Sequence, residues 1–208
     1  MNLFFLDFET TGLNVYHHDI IEVAIKQFKN DKYYSTLVKP KPFSTIPIKY
    51  IPPKIQNITN INDEMIIKDG VLRSVAISNM FQYIKQNSDK DNPIYIVAHN
   101  GNSFDFIIFR RLLMTYHKSV MELDQSVMSR FKYIDTVLLA KILFKYDRVS
   151  QKNLCEKYNV VNVTEHRALG DIIALEKIYI HLCNELSEEP EENNIIEHPE
   201  IVSDMLFI

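Results

Sequence analysis

The chain has 208 residues, 46% of them hydrophobic and 24% charged, and a formal net charge of −4. That length fits one domain, with or without a tail, and can bury a full core without disulfides or a structural metal. The composition excludes a wholly disordered, collagen-like or coiled-coil chain, and the acidic balance excludes a strongly basic domain whose overall field gathers nucleic acid. Cys155 and Cys183 fit no metal-ligand spacing and sit in helix-like stretches, so both read as buried free thiols in a reducing compartment. No apolar run reaches the roughly 18 residues of a membrane span. The start, MNLFFLDFET, turns acidic without a basic n-region. The expectation is a soluble intracellular protein of the cytoplasm or nucleus.

Residues 3–8 form a short apolar run closed by Thr-Thr-Gly, which predicts a buried strand. Residues 19–29 (DIIEVAIKQFK) and 33–39 read as the next two strands of an antiparallel meander. Residues 39–53 hold five prolines and read as an extended loop. ITNINDEM (58–65) reads as a turn leading into a helix, and 71–86 has helical periodicity. IYIVAH (94–99) predicts another buried strand. Helical patterns follow at 104–116, 135–145, 150–158 and, longest, 164–186. SEEPEENN then breaks the pattern, and the final stretch reads as an acidic tail with a frayed end. Leading strands followed by alternating helices and strands imply an α/β domain with a mixed sheet.

Four carboxylates and one imidazole stand out by position. Asp7 and Glu9 lie two apart at the end of the first strand, so they share a face. Alone, that pair fits an exposed strand edge. Asp105 alone fits a helix N-terminal acid, worth a few tenths to about 1 kcal/mol. Asp171 falls among apolar residues at helical spacing, and an inward Asp needs a partner because burying a lone charge is costly. His166 precedes it by five residues. Taken together, four converging acids repel one another unless cations offset them, and oxygen-only ligands suit Mg²⁺ or Mn²⁺. Two such ions can clamp the attacking and leaving oxygens of a phosphodiester, and a His can take the proton of the attacking water.

LFFLDFETTGL, AHNGNSFDF and HRALGD occur in that order and together resemble the three motifs of the DEDDh branch of the DnaQ-like 3′→5′ exonucleases. The weaker segments DIIEVAI, ITNINDEM, YIDTVLLAKIL and NLCEKYNV are similar to family segments as well, so the resemblance runs from residue 3 to about 182. It implies a ribonuclease H-like exonuclease fold, with a central mixed five-stranded sheet flanked by helices, over residues 1–186, followed by an acidic tail over 187–208. It implies that Asp7, Glu9 and Asp171 hold one Mg²⁺ or Mn²⁺, that Asp7 also reaches a second ion served by Asp105, and that His166 is the general base. Thr10, Thr11, Gly12 and Leu13 would line the terminal-nucleotide pocket, with Asn100, Phe104 and Arg167 as further substrate contacts. The implied activity is release of nucleoside 5′-monophosphates from the 3′ end of single-stranded or frayed DNA or RNA. The protein would be a stand-alone nuclease or a proofreading subunit with a polymerase or replication partner. The second motif is closest to the three-prime repair exonucleases, whereas FETTGL is the general form.

Other readings compete. A catalytically silent nucleic-acid-binding module of the same fold usually loses one of the five groups, and an endonuclease of the superfamily has no need of the Thr-Thr-Gly-Leu wall. Tyr16, His17, His18 and Asp19 read as a solvated turn or substrate rim before a metal site. Arg110, Arg111, Arg130, Lys132, Lys145, Arg148 and Lys152 are candidates for a phosphate track, and Asp135 reads as a helix cap.

Overall fold

The computed structural model describes residues 1–40, 51–120, 128–145, 147–187 and 195–206. The proline-rich reading of 39–53 and the acidic break at 187–194 fall mostly outside them. The meander forms as expected: β1 (Leu3–Thr10), β2 (Ile20–Gln27) and β3 (Tyr33–Lys39) pair antiparallel. Two short helices, α1 (Pro53–Thr59) and α2 (Asp63–Asp69), lead through β4 (Val71–Leu72) into α3 (Arg73–Gln86). Then come β5 (Ile94–Ala98), α4 (Asp105–Val120), β6 (Phe131–Asp135), α5 (Thr136–Leu143), α6 (Gln151–Tyr158), α7 (Ala168–Leu186) and α8 (Pro199–Met205).

The sheet has six strands in the order β4-β3-β2-β1-β5-β6, not the expected five, with β5 and β6 parallel to β1 and β4 parallel to β3. The added β4 is two residues long and half exposed, too short for an alternating pattern. β6 escapes pattern reading because Lys132 and Tyr133 interrupt its buried positions.

Period-two alternation along β1 sorts its side chains into two cores. Leu3 and Phe5 join Ala24, Tyr95, Val97 and Ile134 beneath α7, which contributes Ile172, Leu175, Ile178, Tyr179 and Leu182. Phe4, Leu6 and Phe8 join Val23, Ile25, Ile96 and Ala98 beneath α3 and α4. The odd-numbered face continues into Asp7 and Glu9, so both acids emerge on the side that α7 covers. The chain's end differs from a frayed tail. Ile195, Ile196 and Val202 are buried in the α7-side core. No helix among the described residues is long and apolar enough to cross a membrane.

Glycine plays an unexpected part. Among the described residues five non-glycines take positive φ, namely Lys29, Asn60, Asn100, Asn159 and His166, and no glycine does. Asn tolerates that region, and here it ends α1 and α6. The motif glycines instead supply space. A Cβ on Gly12 would meet the His18 ring at 2.1 Å, and one on Gly170 would meet the Thr164 hydroxyl at 2.1 Å. α7 begins at Ala168 and not at 164 because His166 and Arg167 take non-helical backbone angles. Residues 162–164 fold back against the helix's first turn, and His166 turns the chain with φ 60°.

Candidate active site

Five groups from three distant segments line one pocket of about 620 Å³ at the C-terminal ends of β1 and β5: Asp7, Glu9, Asp105, His166 and Asp171. Carboxyl-end crevices of this kind are where open α/β sheets bind ligands. β1 aims Asp7 and Glu9, and α7 lies over them with Asp171 in its first turn. One oxygen each from Asp7, Glu9 and Asp171 lies within 4.8 Å of the others. Asp105 stands apart, held by the Phe8 N–H at 3.1 Å.

The pocket is electrostatically unfinished. Burial first, and then neighbouring carboxylates, raise Asp7 well above the usual range. Burial, then Asp171 and Glu22, push Glu9 up to about 8. Burial pushes Asp105 up to about 7 against the opposing Phe8 N–H, and Asp171 up to about 6 against Asn162. The one Lys in the wall, Lys152, pairs with Glu165 at 3.7 Å. Oxygen donors so close, with so little countercharge, are the donor set of a hard divalent cation.

A pH dependence follows. These acids hold protons more tightly in the folded chain than in the unfolded one. The stability they confer is complete below about pH 4 and is lost as pH rises through 6–8. Buried His99, lowered to about 4, acts with the opposite sign, but only below about pH 6.5, where an unfolded His takes up its proton. In EDTA, Tm is therefore expected to fall between about pH 6.5 and 8.5. Mn²⁺ should raise Tm more at the upper end than at the lower. A calorimetric scan series checks this, and a Tm in EDTA that is flat or rising over that window contradicts it.

Hydrogen-bonded braces set the five groups. Glu22, on β2 directly opposite Glu9, is 3% exposed. It accepts from the Arg167 guanidinium at 2.8 Å and from the Ala168 N–H at 2.9 Å, so it ties the start of α7 to the sheet. A buried carboxylate robbed of its partner destabilises a fold by about 3–5 kcal/mol. Arg167, expected to touch substrate, is paired with Glu22. Asn162 donates to Asp171 Oδ1 at 2.6 Å, and Gln151 to its carbonyl at 2.9 Å. Asp135 caps α5 as expected and also accepts from the Asn100 and Asn102 amides, each at 2.9 Å, which shapes the loop before Asp105. His99 lines the pocket too, but one ring nitrogen lies 2.9 Å from Thr136 Oγ1 and the Val149 carbonyl also binds the ring. Burial lowers its affinity for a proton and its ring is already bonded, so it is a poor rival base. The His166 ring is exposed, with no hydrogen-bond partner among the described residues.

Of these braces, Glu22 left a trace in the sequence as the one acid inside IIEVAI. Asn162 and Gln151 left none.

Leu13, Asn100 and Phe104 line the same pocket as the acids. Thr10, Thr11 and Gly12 do not. The Thr10 hydroxyl donates to the Gly12 carbonyl at 2.6 Å, the Thr11 amide to the Asp19 carbonyl at 2.9 Å and the Gly12 amide to Thr10 Oγ1 at 3.4 Å. These three brace the turn that presents Leu13.

Fold and site together define a nuclease of the ribonuclease H-like class, a hydrolase acting on nucleic acid. The chain belongs to the RNase_T exonuclease family, whose match spans residues 4–179. It is 33% identical over 178 residues to a PolC-type DNA polymerase III of Thermotoga petrophila, covering 84% of this chain and 11% of that protein. It is 27% identical over 190 residues to the exonuclease DPD1 of Arabidopsis thaliana, chloroplastic and mitochondrial, covering 86% of this chain and 55% of that one. The chain thus spans about a tenth of the polymerase and about half of DPD1. Among solved structures, exonuclease X in complex with 5′-overhanging duplex DNA superposes with a TM-score of 0.60 at 21% identity, covering 98% of this chain and 99% of that one. Exonuclease I gives a TM-score of 0.70 at 14% identity, covering 99% of this chain and 43% of that one. These two likenesses concern the fold.

Proposed function

We propose that the chain is a metal-dependent 3′→5′ exonuclease that releases nucleoside 5′-monophosphates from single-stranded or frayed ends, DNA before RNA. The observation that supports this is the convergence of Asp7, Glu9, Asp105, Asp171 and the exposed His166 in one pocket that Leu13, Asn100 and Phe104 also line. Asp7, Glu9 and Asp171 would hold one Mg²⁺ or Mn²⁺, and Asp7 with Asp105 a second. Such ions supply Lewis-acid polarisation of the phosphoryl group and offset the charge of a polyanion entering an acidic pocket. His166 takes the proton of the attacking water. The water oxygen bonds to phosphorus, the P–O3′ bond breaks, and the 3′ oxygen stays with the shortened strand as a hydroxyl after taking a proton from solvent. Leu13 packs on the terminal base, while Asn100 and Phe104 border the terminal sugar.

The catalytic unit is residues 1–186, with residues 195–206 as a brace on the α7-side core. The polymerase relatives support a replicative context in which the chain works beside a polymerase. Two buried free cysteines favour a reducing compartment, cytoplasm or nucleus. The test is a 5′-labelled single-stranded oligonucleotide with Mn²⁺. Products shortening one nucleotide at a time, with nucleoside 5′-monophosphates released, are expected. Internal fragments as first products would overturn the reading.

A further inference from the structure

The loop between β1 and β2 exposes two large apolar side chains beside the acidic pocket: Leu13 is 86% exposed and Tyr16 64%. Looseness does not account for this. The Thr11 and Asp19 backbones are bonded at 2.9 Å, and Asn14 Oδ1 accepts from the Tyr16 amide at 3.0 Å. His18 Nδ1 accepts from the Asn14 amide at 3.1 Å, and Asp19 is bridged to Arg73 at 2.9 Å. Val15, between the two exposed residues, is buried in the core beneath α4. The loop is built to hold Leu13 and Tyr16 outward, and a rigid presentation lowers the entropy cost of binding.

Arg111 locks this arrangement. Its guanidinium donates to the Val15 and Tyr16 carbonyls and lies over the Tyr16 ring, 5.6 Å from the centroid. No carboxylate pairs with it among the described residues, and its charge lies against an exposed aromatic ring. Arg111 is six residues beyond Asp105 on α4, about 9 Å along the helix axis. Tyr16 rests on Arg111 and follows by three residues Leu13, which lines the acid pocket. An aromatic face backed by a cation beside a groove is the general platform for a base of a single strand.

We propose that Tyr16, backed by Arg111, stacks the base of the penultimate nucleotide, the one that carries the leaving 3′ oxygen. This rests on the 3′-exonuclease reading above. Leu13 and Tyr16 then form two successive steps, one for the nucleotide released and one for the strand that remains. Stacking on a ring face is tolerant of base identity.

The experiment compares wild type, Tyr16→Ala and Tyr16→Phe on two substrates. One is a single-stranded DNA oligonucleotide. The other is the p-nitrophenyl ester of thymidine 5′-monophosphate, which lacks a penultimate nucleotide. Anisotropy of a labelled oligonucleotide gives affinity independently of turnover. Tyr16→Ala is expected to lose about 10-fold or more in oligonucleotide affinity and KM, and to lose much less on the ester. Tyr16→Phe should restore the oligonucleotide values, since the ring face is kept. Equal losses on both substrates, no loss in affinity, or a Phe variant as weak as Ala would overturn the platform. A wild type that binds the oligonucleotide through Tyr16 but hydrolyses neither substrate would sink the nuclease reading and leave the platform standing.

Discussion

Asp7→Asn is expected to reduce nucleotide release by on the order of 10³-fold or more. Asp7 is the carboxylate on which the others converge: burial raises it most, and Asp105, Glu9, Asp171 and Glu22 raise it further. It also belongs to the oxygen triplet with Glu9 and Asp171. Asn keeps the shape and removes the charge, so cation affinity falls while packing is preserved. The same change relieves repulsion in the empty pocket. In EDTA near pH 8 the variant should melt above wild type, and Mn²⁺ should stabilise it less. Function and apo stability thus move in opposite directions, as they do where a site stores strain. Initial rates on a 5′-labelled oligonucleotide, together with thermal scans, check both halves. A rate near wild type would show that Asp7 is not part of the metal site.

His166→Asn and His166→Ala should each lose about 10²–10⁴-fold in kcat with Mn²⁺ affinity retained. The pair of variants separates chemistry from backbone. His166 sits at φ 60°, where Asn is at ease and Ala is strained. Equal losses in both variants assign the loss to the imidazole. A His166→Asn variant with most of its activity would refute the base role. A loss of metal affinity in either would make His166 a ligand. His99 offers no rescue, since burial makes its ring a weak proton acceptor and two bonds hold it in place.

Much of the centre was legible because its physics is local. Asp7 and Glu9 share a face wherever a strand forms, and Phe4, Leu6 and Phe8 require the opposite face to be core. Asp171 amid an apolar helix demanded partners, and the resemblance located them. What escaped depends on contacts across the sheet. Glu22 was visible only as an acid inside an apolar run, and its pairing with Arg167 joins residues 145 apart. That pairing makes Arg167, read from the sequence as a substrate contact, a brace between β2 and α7. The resemblance placed Thr11 and Gly12 against substrate; in the structure the Thr11 amide bonds the Asp19 carbonyl and the Gly12 amide lies 3.4 Å from Thr10 Oγ1. β4 and β6 were missed where shortness or a mid-strand Lys erased the alternation. The packed end at Ile195, Ile196 and Val202 was missed because an acidic stretch precedes it.

The cation site itself is tested most directly by calorimetric titration of the EDTA-stripped protein with Mn²⁺ near pH 8, wild type beside Asp7→Asn. Saturable binding by wild type, with protons released as the raised carboxyls ionise, and weakened binding by the variant is the expected outcome. Binding that is absent from wild type, or unchanged by the substitution, would contradict the account.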